Sequence, residues 1–427
     1  MRRPRVVGTA AWMLAGLTYA GSLSCHKSGI AEPSWWTSQE SVLAPASAHG
    51  PSPAQTVAGS TGGARDVGES VFLATWVGAL AFLRSERTSG QLRLVVVDPA
   101  SGHETQVPGV TCSGEASEME WSYDGSRLAF TGADGNLWVV GEGEWPPRRV
   151  TGFTAWDSCE AVRPSWSPDG SEIAFQVDGG ERETALPSSV RIVDLRTGDI
   201  QIAVSTPDPE RYIGEPFVEY GHPAVSPDGS RIAFVTSRQR GRLPGPVAAV
   251  ADVCLVGRNG GRIEVLTGGT GIYAEPTWAP DGAKLAYRQD HENGESGLCT
   301  MEVSSRHASE LYRAAGPIRG ICWSPDGDML AFQVGEDPSS RVWVVRPDGS
   351  GRRPILGGAM ASTHPTWDES GGKLAVSAER DGECAVAVVD LHQGSVELVG
   401  QSPDSELAPT WSRRRGVVRN EGKPPAP

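Results

Sequence analysis

Runs in which large apolar residues alternate with small or polar ones recur along most of the chain, and a ten-residue unit repeats among them. Its best-formed copy is WSPDGSEIAF, from Trp166 to Phe175. The Ser-Pro-Asp-Gly stretch favours a tight turn, in which Gly170 can adopt a left-handed conformation. Residues 173–175 are large, small and large, the pattern of a strand that packs on both faces. The unit therefore predicts a strand that ends at Trp166, a turn and a second strand.

Near-copies of this unit follow one another at regular intervals. They are WSYDGSRLAF at Trp121, VSPDGSRIAF at Val225, WAPDGAKLAY at Trp278, WSPDGDMLAF at Trp323, WDESGGKLAV at Trp367 and a stub around Trp411. With the copy at Trp166 included, successive starts lie 45, 59, 53, 45, 44 and 44 residues apart. A period in the forties is typical of propellers and solenoids.

The rest of each period has the pattern of two further strands. After Phe332, for example, come RVWVVRPDGSG and RRPIL, two strand-like segments separated by a turn. No long helical periodicity follows residue 70. Four short antiparallel strands per repeat predict an all-β chain folded as a β-propeller with four-stranded blades.

The two ends of the repeat region supply the parts of one more blade. Residues 78–85, 91–98 and 103–109 have the pattern of three strands, and residues 405–412 that of one inner strand. Joined, they would close the ring, so we predict seven blades, with one blade shared by the N- and C-terminal strands. An eight-bladed ring or an open six-bladed one is the alternative, because the segment VFLATW before Val77 can add a strand.

The W-S-P-D-G-x-x-[IL]-A-F unit resembles the WD40-like repeat of TolB-type β-propellers, over roughly residues 70 to 415. The resemblance implies the fold strongly and the function weakly, because the unit is a turn and a packing device and one fold hosts unrelated activities. TolB-type translocation proteins carry a separate α/β domain before the propeller, and the forty-odd residues before this one are too few for it.

The first residues have the pattern of an export signal, so residues 1–25 are interpreted as a signal peptide of lipoprotein type, with Cys25 as the lipidated residue. Cleavage after Ala20 and an uncleaved anchor are the alternatives. Residues 26–68 are rich in Pro, Ser, Ala and Gly and predict a flexible linker. Residues 69–415 form the predicted propeller, and residues 416–427 a disordered tail.

Charge and cysteine content exclude some classes of function. The net charge of −14 argues against a general nucleic-acid binder, which needs a basic face. No CxxC or CxxxC pair is present, so we expect no cysteine-based zinc site. In an exported chain Cys112 and Cys159 are candidates for a disulfide bridge, and Cys254, Cys299 and Cys384 are interpreted as buried thiols in third strands.

No catalytic motif accompanies the repeat. A G-x-S-x-G nucleophile elbow, a P-loop, H-E-x-x-H and a dinucleotide fingerprint are all absent from the sequence. The sixteen residues after Trp411 do not provide the hydrolase domain of a prolyl-oligopeptidase. The sequence therefore predicts a protein that is not an enzyme and has no cofactor or metal.

Two groups of residues are candidates for a site in the central channel. Three positions before each repeated Trp or Val stand residues that would form one ring around the axis, lining a wet channel: Glu118, Arg163, His222, Glu275, Gly320, His364 and Ala408. Loops that lead into the inner strands bring aromatic and charged residues to the channel mouth, as a peptide- or sugar-binding site would need: Trp156, Phe217, Glu219, Tyr220, Tyr273 and Arg319. Enlarged loops at residues 179–189 and 238–250 would form a raised patch beside each other.

We therefore predict an exported, lipid-anchored, monomeric propeller that binds a protein or peptide partner at the cell envelope of a bacterium, in the periplasm or on the outer membrane. Its contact with the membrane would be only the lipid on Cys25, and nucleic acid is not an expected partner. The alternative is an envelope lyase or hydrolase of carbohydrates that uses channel His and carboxylate side chains. A third hypothesis is a structural module in a surface complex.

Overall fold

The computed structural model describes residues 76–86, 89, 91–107, 111–112, 119–141, 144–154, 159–179, 188–205, 218–240, 248–268, 271–336, 339–357, 360–380, 383–399 and 405–412. Within these ranges the regular secondary structure is entirely β-strand. The described residues contain no helix with the length and hydropathy needed to cross a membrane. The predicted signal peptide, linker and tail lie outside these ranges, as do residues 180–187 and 241–247 of the two enlarged loops.

The first eleven strands are β1 (Leu80–Ser85), β2 (Leu92–Val97), β3 (Glu104–Gln106), β4 (Met119–Trp121), β5 (Arg127–Thr131), β6 (Leu137–Gly141), β7 (Glu144–Arg149), β8 (Cys159–Trp166), β9 (Glu172–Gly179), β10 (Ser189–Asp194) and β11 (Ile200–Ser205). The next eight are β12 (Val218–Val225), β13 (Arg231–Arg240), β14 (Ala248–Gly257), β15 (Glu264–Val265), β16 (Ile272–Trp278), β17 (Lys284–Asp290), β18 (Ser296–Glu302) and β19 (Ala308–Ala314). The last nine are β20 (Ile318–Trp323), β21 (Leu330–Val334), β22 (Arg341–Val345), β23 (Arg353–Pro354), β24 (Ala361–Trp367), β25 (Lys373–Arg380), β26 (Glu383–Asp390), β27 (Val396–Val399) and β28 (Ser405–Trp411).

These strands form antiparallel sets of four that follow chain order. The four-stranded sheets are β28-β1-β2-β3, β4-β5-β6-β7, β8-β9-β10-β11, β20-β21-β22-β23 and β24-β25-β26-β27. Strands β12 to β19 form one eight-stranded sheet, in which the sets β12–β15 and β16–β19 are joined by a single parallel residue pair, Ala251 with Ile272. We call the first strand of each set its inner strand, because each inner strand contacts the next and β28 contacts β4. The sets are therefore arranged around an axis as a β-propeller.

The closure predicted from the chain ends is confirmed. Strand β28 pairs with β1 in antiparallel register, from Leu80 with Trp411 to Ser85 with Ser405. The N-terminal and C-terminal strands thus share one sheet, and β1 is not left as an unpaired edge. Trp76, the last residue of the VFLATW segment, packs edge-on against Trp121 at a ring-centroid distance of 5.7 Å, and the rest of that segment lies outside the described residues.

The repeated turn forms as its residues predict. Asp169 accepts hydrogen bonds from the Ser167 hydroxyl at 2.7 Å and the Ser171 amide at 3.0 Å, and Gly170 has a φ of 68°. The same carboxylate contacts recur at Asp124 and Asp228. Because these carboxylate bonds are local, the sequence of the turn is sufficient to specify them.

The repeated tryptophan joins neighbouring sets of strands. The indole N–H of Trp166 donates to the backbone carbonyl of Glu120, the residue before Trp121, at 2.8 Å. The equivalent bonds are Trp121 to Thr410, Trp278 to Ala224, Trp323 to Thr277 and Trp367 to Cys322. Apolar clusters lie between consecutive sets, so the core is divided among the interfaces. The tryptophans therefore fix how each set packs on the one before it.

The cysteine predictions have two outcomes. Cys112 and Cys159 are not joined by a disulfide, so the candidate bridge was wrong. Cys112 instead lies in an isolated bridge opposite Gly132, and Cys159 begins β8 opposite Gly179. Cys299 lies in a third strand as expected, and burial raises the pKa of its thiol to about 12, so the thiol is protonated at neutral pH.

Candidate functional site in the central channel

The predicted ring positions that the structure describes are equivalent to one another. Six of them have φ between 53° and 59°, in the left-handed region: Arg163, His222, Glu275, Gly320, His364 and Ala408. On all six of these inner strands, the pairing register shifts at this point, for example between Val162 and Ser165. A β-bulge of this kind re-aims the local side chains. Five of the six are not glycine, and a left-handed conformation costs each of them about 1–2 kcal/mol. Glu118 lies outside the described residues.

Neighbouring ring residues contact one another around the axis. Nη1 of Arg163 lies 3.3 Å from Nδ1 of His222, on the next inner strand. The amide N–H of Gly320 donates to Oε2 of Glu275, again one inner strand away, at 2.8 Å. The structure thus brings together Arg163 with His222 and Glu275 with Gly320. His364 contacts its own neighbour, with Nδ1 lying 2.8 Å from the Thr363 hydroxyl.

Glu275 belongs to an ion-pair network centred on a buried arginine. Nη1 of Arg288 lies 3.1 Å from Oε1 of Glu275 and donates to the carbonyl of Ile318 at 3.3 Å. Its Nε lies 3.2 Å from Oδ1 of Asp290. Two carboxylates therefore neutralise this guanidinium, as a buried charge requires. Arg288 is a site residue that we did not predict from the sequence.

His222 is held as a neutral imidazole. Desolvation within the channel, followed by the positive charges of Arg163 and Arg288, lowers its pKa well below the ordinary value of 6.5. Because a guanidinium only donates, Nδ1 must accept the bond from Arg163, and the ring proton then lies on Nε2. The backbone N–H of His222 donates to Oε1 of Gln176 at 3.1 Å. Burial also raises the pKa of Asp178, an effect that the charge of Arg163 opposes.

A second row of polar residues connects the second strands to the following inner strands. It occupies the position directly after the Ala-Phe, Ala-Tyr or Ala-Val pair in five sets of strands, whereas the apolar residues Leu83 and Val235 take that position in the other two. Three members other than Arg288 make such bonds: Thr131 donates to the carbonyl of Ala161, Gln176 accepts from His222, and Ser377 accepts from the Ala408 amide at 2.8 Å. Gln333 has the same position, and its buried Oε1 has no hydrogen-bond partner among the described residues. A polar residue at this point of an apolar strand was the signal that could have identified the row.

A cavity of about 160 Å³ lies at the end of the channel where the Ser-Pro-Asp-Gly turns are. We call this the turn end, and the end where the chain enters each inner strand the entry end. Residues from five sets of strands line the cavity: Glu120, Tyr123, Ser165, Ala224, Val225, Pro227, Thr277, Trp278, Pro280, Cys322, Trp323 and Pro325. Glu120 is the charged member of this lining. None of these lining residues belongs to the predicted channel mouth.

The predicted mouth residues do not all project freely from the entry end. Tyr220 packs edge-on against Phe234 at 5.9 Å, and Tyr273 against Tyr287 at 6.0 Å. Burial raises the pKa of both tyrosines, as their half-buried positions explain. Nη2 of Arg319 lies 3.8 Å from Oε1 of Glu336. Trp156, Phe217 and the side chain of Glu219 lie outside the described residues, so their part in a mouth remains a prediction.

The channel holds ion pairs and hydrogen bonds rather than a cluster of metal ligands. In the described part of the chain, no three His, Cys, Asp or Glu side chains converge as metal ligands would. What the channel does offer is an ordered set of donors around Arg163 and a small cavity at its turn end. This arrangement suits the binding of a polar or charged group.

Fold and repeat together define the chain as a β-propeller built from WD40-like repeats. Residues 249–419 match the family described as the TolB beta propeller domain. The Tol-Pal system protein TolB of Anaeromyxobacter dehalogenans is 32% identical over 109 residues, which are 26% of this chain and 25% of that protein. Part of the propeller is therefore similar to TolB-type propellers, and the chain aligns with only a quarter of this relative's length.

Two solved structures have the same fold. A puromycin-hydrolysing peptidase of Mycobacterium tuberculosis is similar at a TM-score of 0.56 and 19% identity, over 75% of this chain and 53% of the peptidase. An oligogalacturonate lyase in complex with manganese is similar at a TM-score of 0.55 and 16% identity, over 77% of this chain and 86% of the lyase. At these identities the likeness concerns the fold alone.

Proposed function

We propose that this protein is a non-enzymatic propeller of the cell envelope that binds a protein or peptide partner in its central channel. The observation that carries the proposal is the cavity at the axis, whose volume is about 160 Å³. Pockets for small-molecule ligands usually measure roughly 300–1,000 Å³. A cavity of this size suits one side chain of a partner better than a sugar oligomer.

We infer that the propeller has seven blades. Each four-stranded set has one inner strand, and the ring of contacts runs through β4, β8, β12, β16, β20, β24 and β28 and returns to β4. The eight-stranded sheet supplies two of these sets, because only Ala251 and Ile272 pair between its halves. An apolar cluster between β1–β2 and β25–β27 supports closure of the same ring.

The contacts of the channel side chains support binding rather than catalysis. His222 accepts a hydrogen bond from Arg163, and Glu275 is paired with Arg288 and the Gly320 amide. A general base needs a free lone pair directed at its substrate. The lyase or hydrolase alternative therefore has less support from these residues than a binding role has.

The envelope location rests on the sequence and on the matched relative. That relative is named as part of the Tol-Pal system, and we extend an envelope role to this chain. In this proposal residues 1–25 direct export, acylated Cys25 anchors the chain in a membrane that borders the periplasm, and residues 26–68 tether the propeller. The partner would enter the channel at the entry end, where Tyr220, Tyr273 and Arg319 lie and where the two enlarged loops connect second and third strands, and would extend along the channel to the cavity at the turn end.

Site-specific photo-crosslinking tests this proposal. A photoreactive residue would replace Arg319 at the entry end, Pro280 at the turn end, or Ile202, which is 55% exposed on the outer strand β11. The full chain would be expressed in its own bacterium and irradiated in living cells. We expect a crosslink to one envelope protein from position 319 or 280, and none from position 202.

The controls separate binding from catalysis. Crosslinks only from position 202 would contradict the channel as the binding site and favour a structural module. Absence of any crosslink, with turnover of oligogalacturonate by the purified chain, would overturn the proposal in favour of the lyase alternative. A protein partner crosslinked from the channel would support it.

A further inference from the structure

Arg163 is a channel cation that forms no ion pair with any carboxylate of the described residues. Its guanidinium has one hydrogen bond there, from Nη1 to Nδ1 of His222. Asp178, whose pKa is raised by burial, is near enough for the charge of Arg163 to oppose that rise, but the two side chains form no ion pair. Arg288, by contrast, is paired with both Glu275 and Asp290. The two channel arginines therefore differ in whether the protein itself neutralises them.

The donors of Arg163 are held in a fixed arrangement. The guanidinium has five N–H groups, and one bond to His222 leaves the others available. Neutral His222 adds its Nε2–H, for which the described residues provide no acceptor. The backbone of His222 is in turn held by its N–H bond to Oε1 of Gln176. The guanidinium of Arg163 and the neutral Nε2–H donor of His222 thus lie side by side.

A planar fork of this kind matches a carboxylate, which accepts two parallel N–H bonds. The chain as a whole carries a net charge of −14, so it does not attract acidic ligands in general. An acidic group would therefore bind at a local positive site such as Arg163. Ser165, two residues after Arg163 on β8, lines the cavity at the turn end. One extended segment could place a carboxylate at Arg163 and a neighbouring side chain in the cavity.

We infer that Arg163 and His222 form the binding site for a carboxylate on an acidic peptide segment of the partner. This inference rests on the proposed function and specifies the chemistry of its ligand. A peptide is favoured over an oligouronate because the adjoining cavity admits a single side chain rather than a sugar chain.

Calorimetric titration of the full chain with short peptides tests the inference. The probes are N-acetylated, C-amidated triglutamate and the matched triglutamine. We expect triglutamate to bind more tightly by about tenfold, the effect of roughly one charge-assisted hydrogen bond. Arg163→Gln should abolish this preference and Arg163→Lys should retain part of it. Arg196→Gln, at an exposed arginine in the turn between β10 and β11, should leave the preference unchanged.

Each result decides the inference. Equal binding of the two peptides, or a preference that persists in folded Arg163→Gln, would overturn it. Binding of trigalacturonate that is lost in Arg163→Gln, without binding of triglutamate, would also overturn it by assigning the site to a sugar acid. Because crosslinking in cells does not depend on these probes, a channel crosslink without triglutamate binding would refute only the carboxylate site.

Discussion

At the scale of single residues, the predicted ring positions combine a strained backbone with unequal charge pairing. Glu275 is paired with Arg288, whereas Arg163 forms no ion pair among the described residues. Residues such as Arg163 and His222 have left-handed φ values at a bulge, and their side chains meet across inner strands. Strained positions of this kind persist only where the surrounding strands determine them. Here the strained positions recur at the same point of successive inner strands.

The pH dependence of stability should report on His222. Its folded pKa is lowered, so below about pH 6.5 the unfolded chain binds a proton that the folded chain does not. Stability from this group is therefore present above pH 6.5 and is lost as the pH falls, with a slope of at most about 1.4 kcal/mol per pH unit. His222→Gln, which can still accept from Arg163, should lose less stability between pH 7.5 and 5.5.

Urea unfolding at a series of pH values measures this difference. Substitution of an exposed histidine, His307→Gln, serves as the control. Identical pH profiles for wild type and His222→Gln would mean that the imidazole is not held neutral.

At the scale of structural elements, the repeated unit performs two tasks. Its turn is closed locally by Asp169 and Gly170, whereas its tryptophan bonds to a carbonyl about 45 residues earlier in the chain. Val225 takes the place of tryptophan in one copy, so the indole bond is missing there, but its amide still donates to the Ser165 hydroxyl at 3.1 Å. The amides of Trp166 and Trp411 donate to the side chains of Glu120 and Thr366 in the same way, so this second connection between neighbouring sets does not need the tryptophan.

Trp166→Phe should show what the indole bond contributes. Phenylalanine preserves most of the packing but leaves the carbonyl of Glu120 without its donor, which should cost about 1 kcal/mol of unfolding free energy. Trp138→Phe is the matched control, since that indole bonds to Asp134 in an exposed position and its loss should change stability by less than about 0.5 kcal/mol. Equal urea midpoints for the two variants would argue that the indole bond does not stabilise the interface.

At the scale of the whole molecule, closure between the chain ends is the feature on which the ring depends. Trp411 is 7% exposed, pairs with Leu80 and donates its indole N–H to the carbonyl of Gly78 at 3.0 Å. Its position makes the β1–β28 seam the place where the ring would open. Without β28, β1 would become an exposed edge.

Trp411→Ala should weaken this seam by about 3–5 kcal/mol, the usual cost of truncating a buried aromatic residue. Hydrogen exchange should then accelerate first at the amides of β1 and β28. Trp367→Ala removes an equally large buried side chain from a set within the chain and should not expose β1 selectively. Uniform acceleration in both variants would show that the seam is no weaker than the other interfaces.

The sequence by itself determined the turns, the strands of each repeat, the closing sheet and the equivalence of the ring positions, because these depend on short-range patterns and on a fixed repeat. It did not reveal that Arg288 is paired with two carboxylates while Arg163 has no carboxylate partner among the described residues, or that a cavity lies at the turn end. Nor did it show that Tyr220 and Tyr273 pack against aromatic residues of the second strands. Only the tertiary structure decided these points, since each depends on how a strand and its bulge orient a side chain toward residues of the same or a neighbouring set.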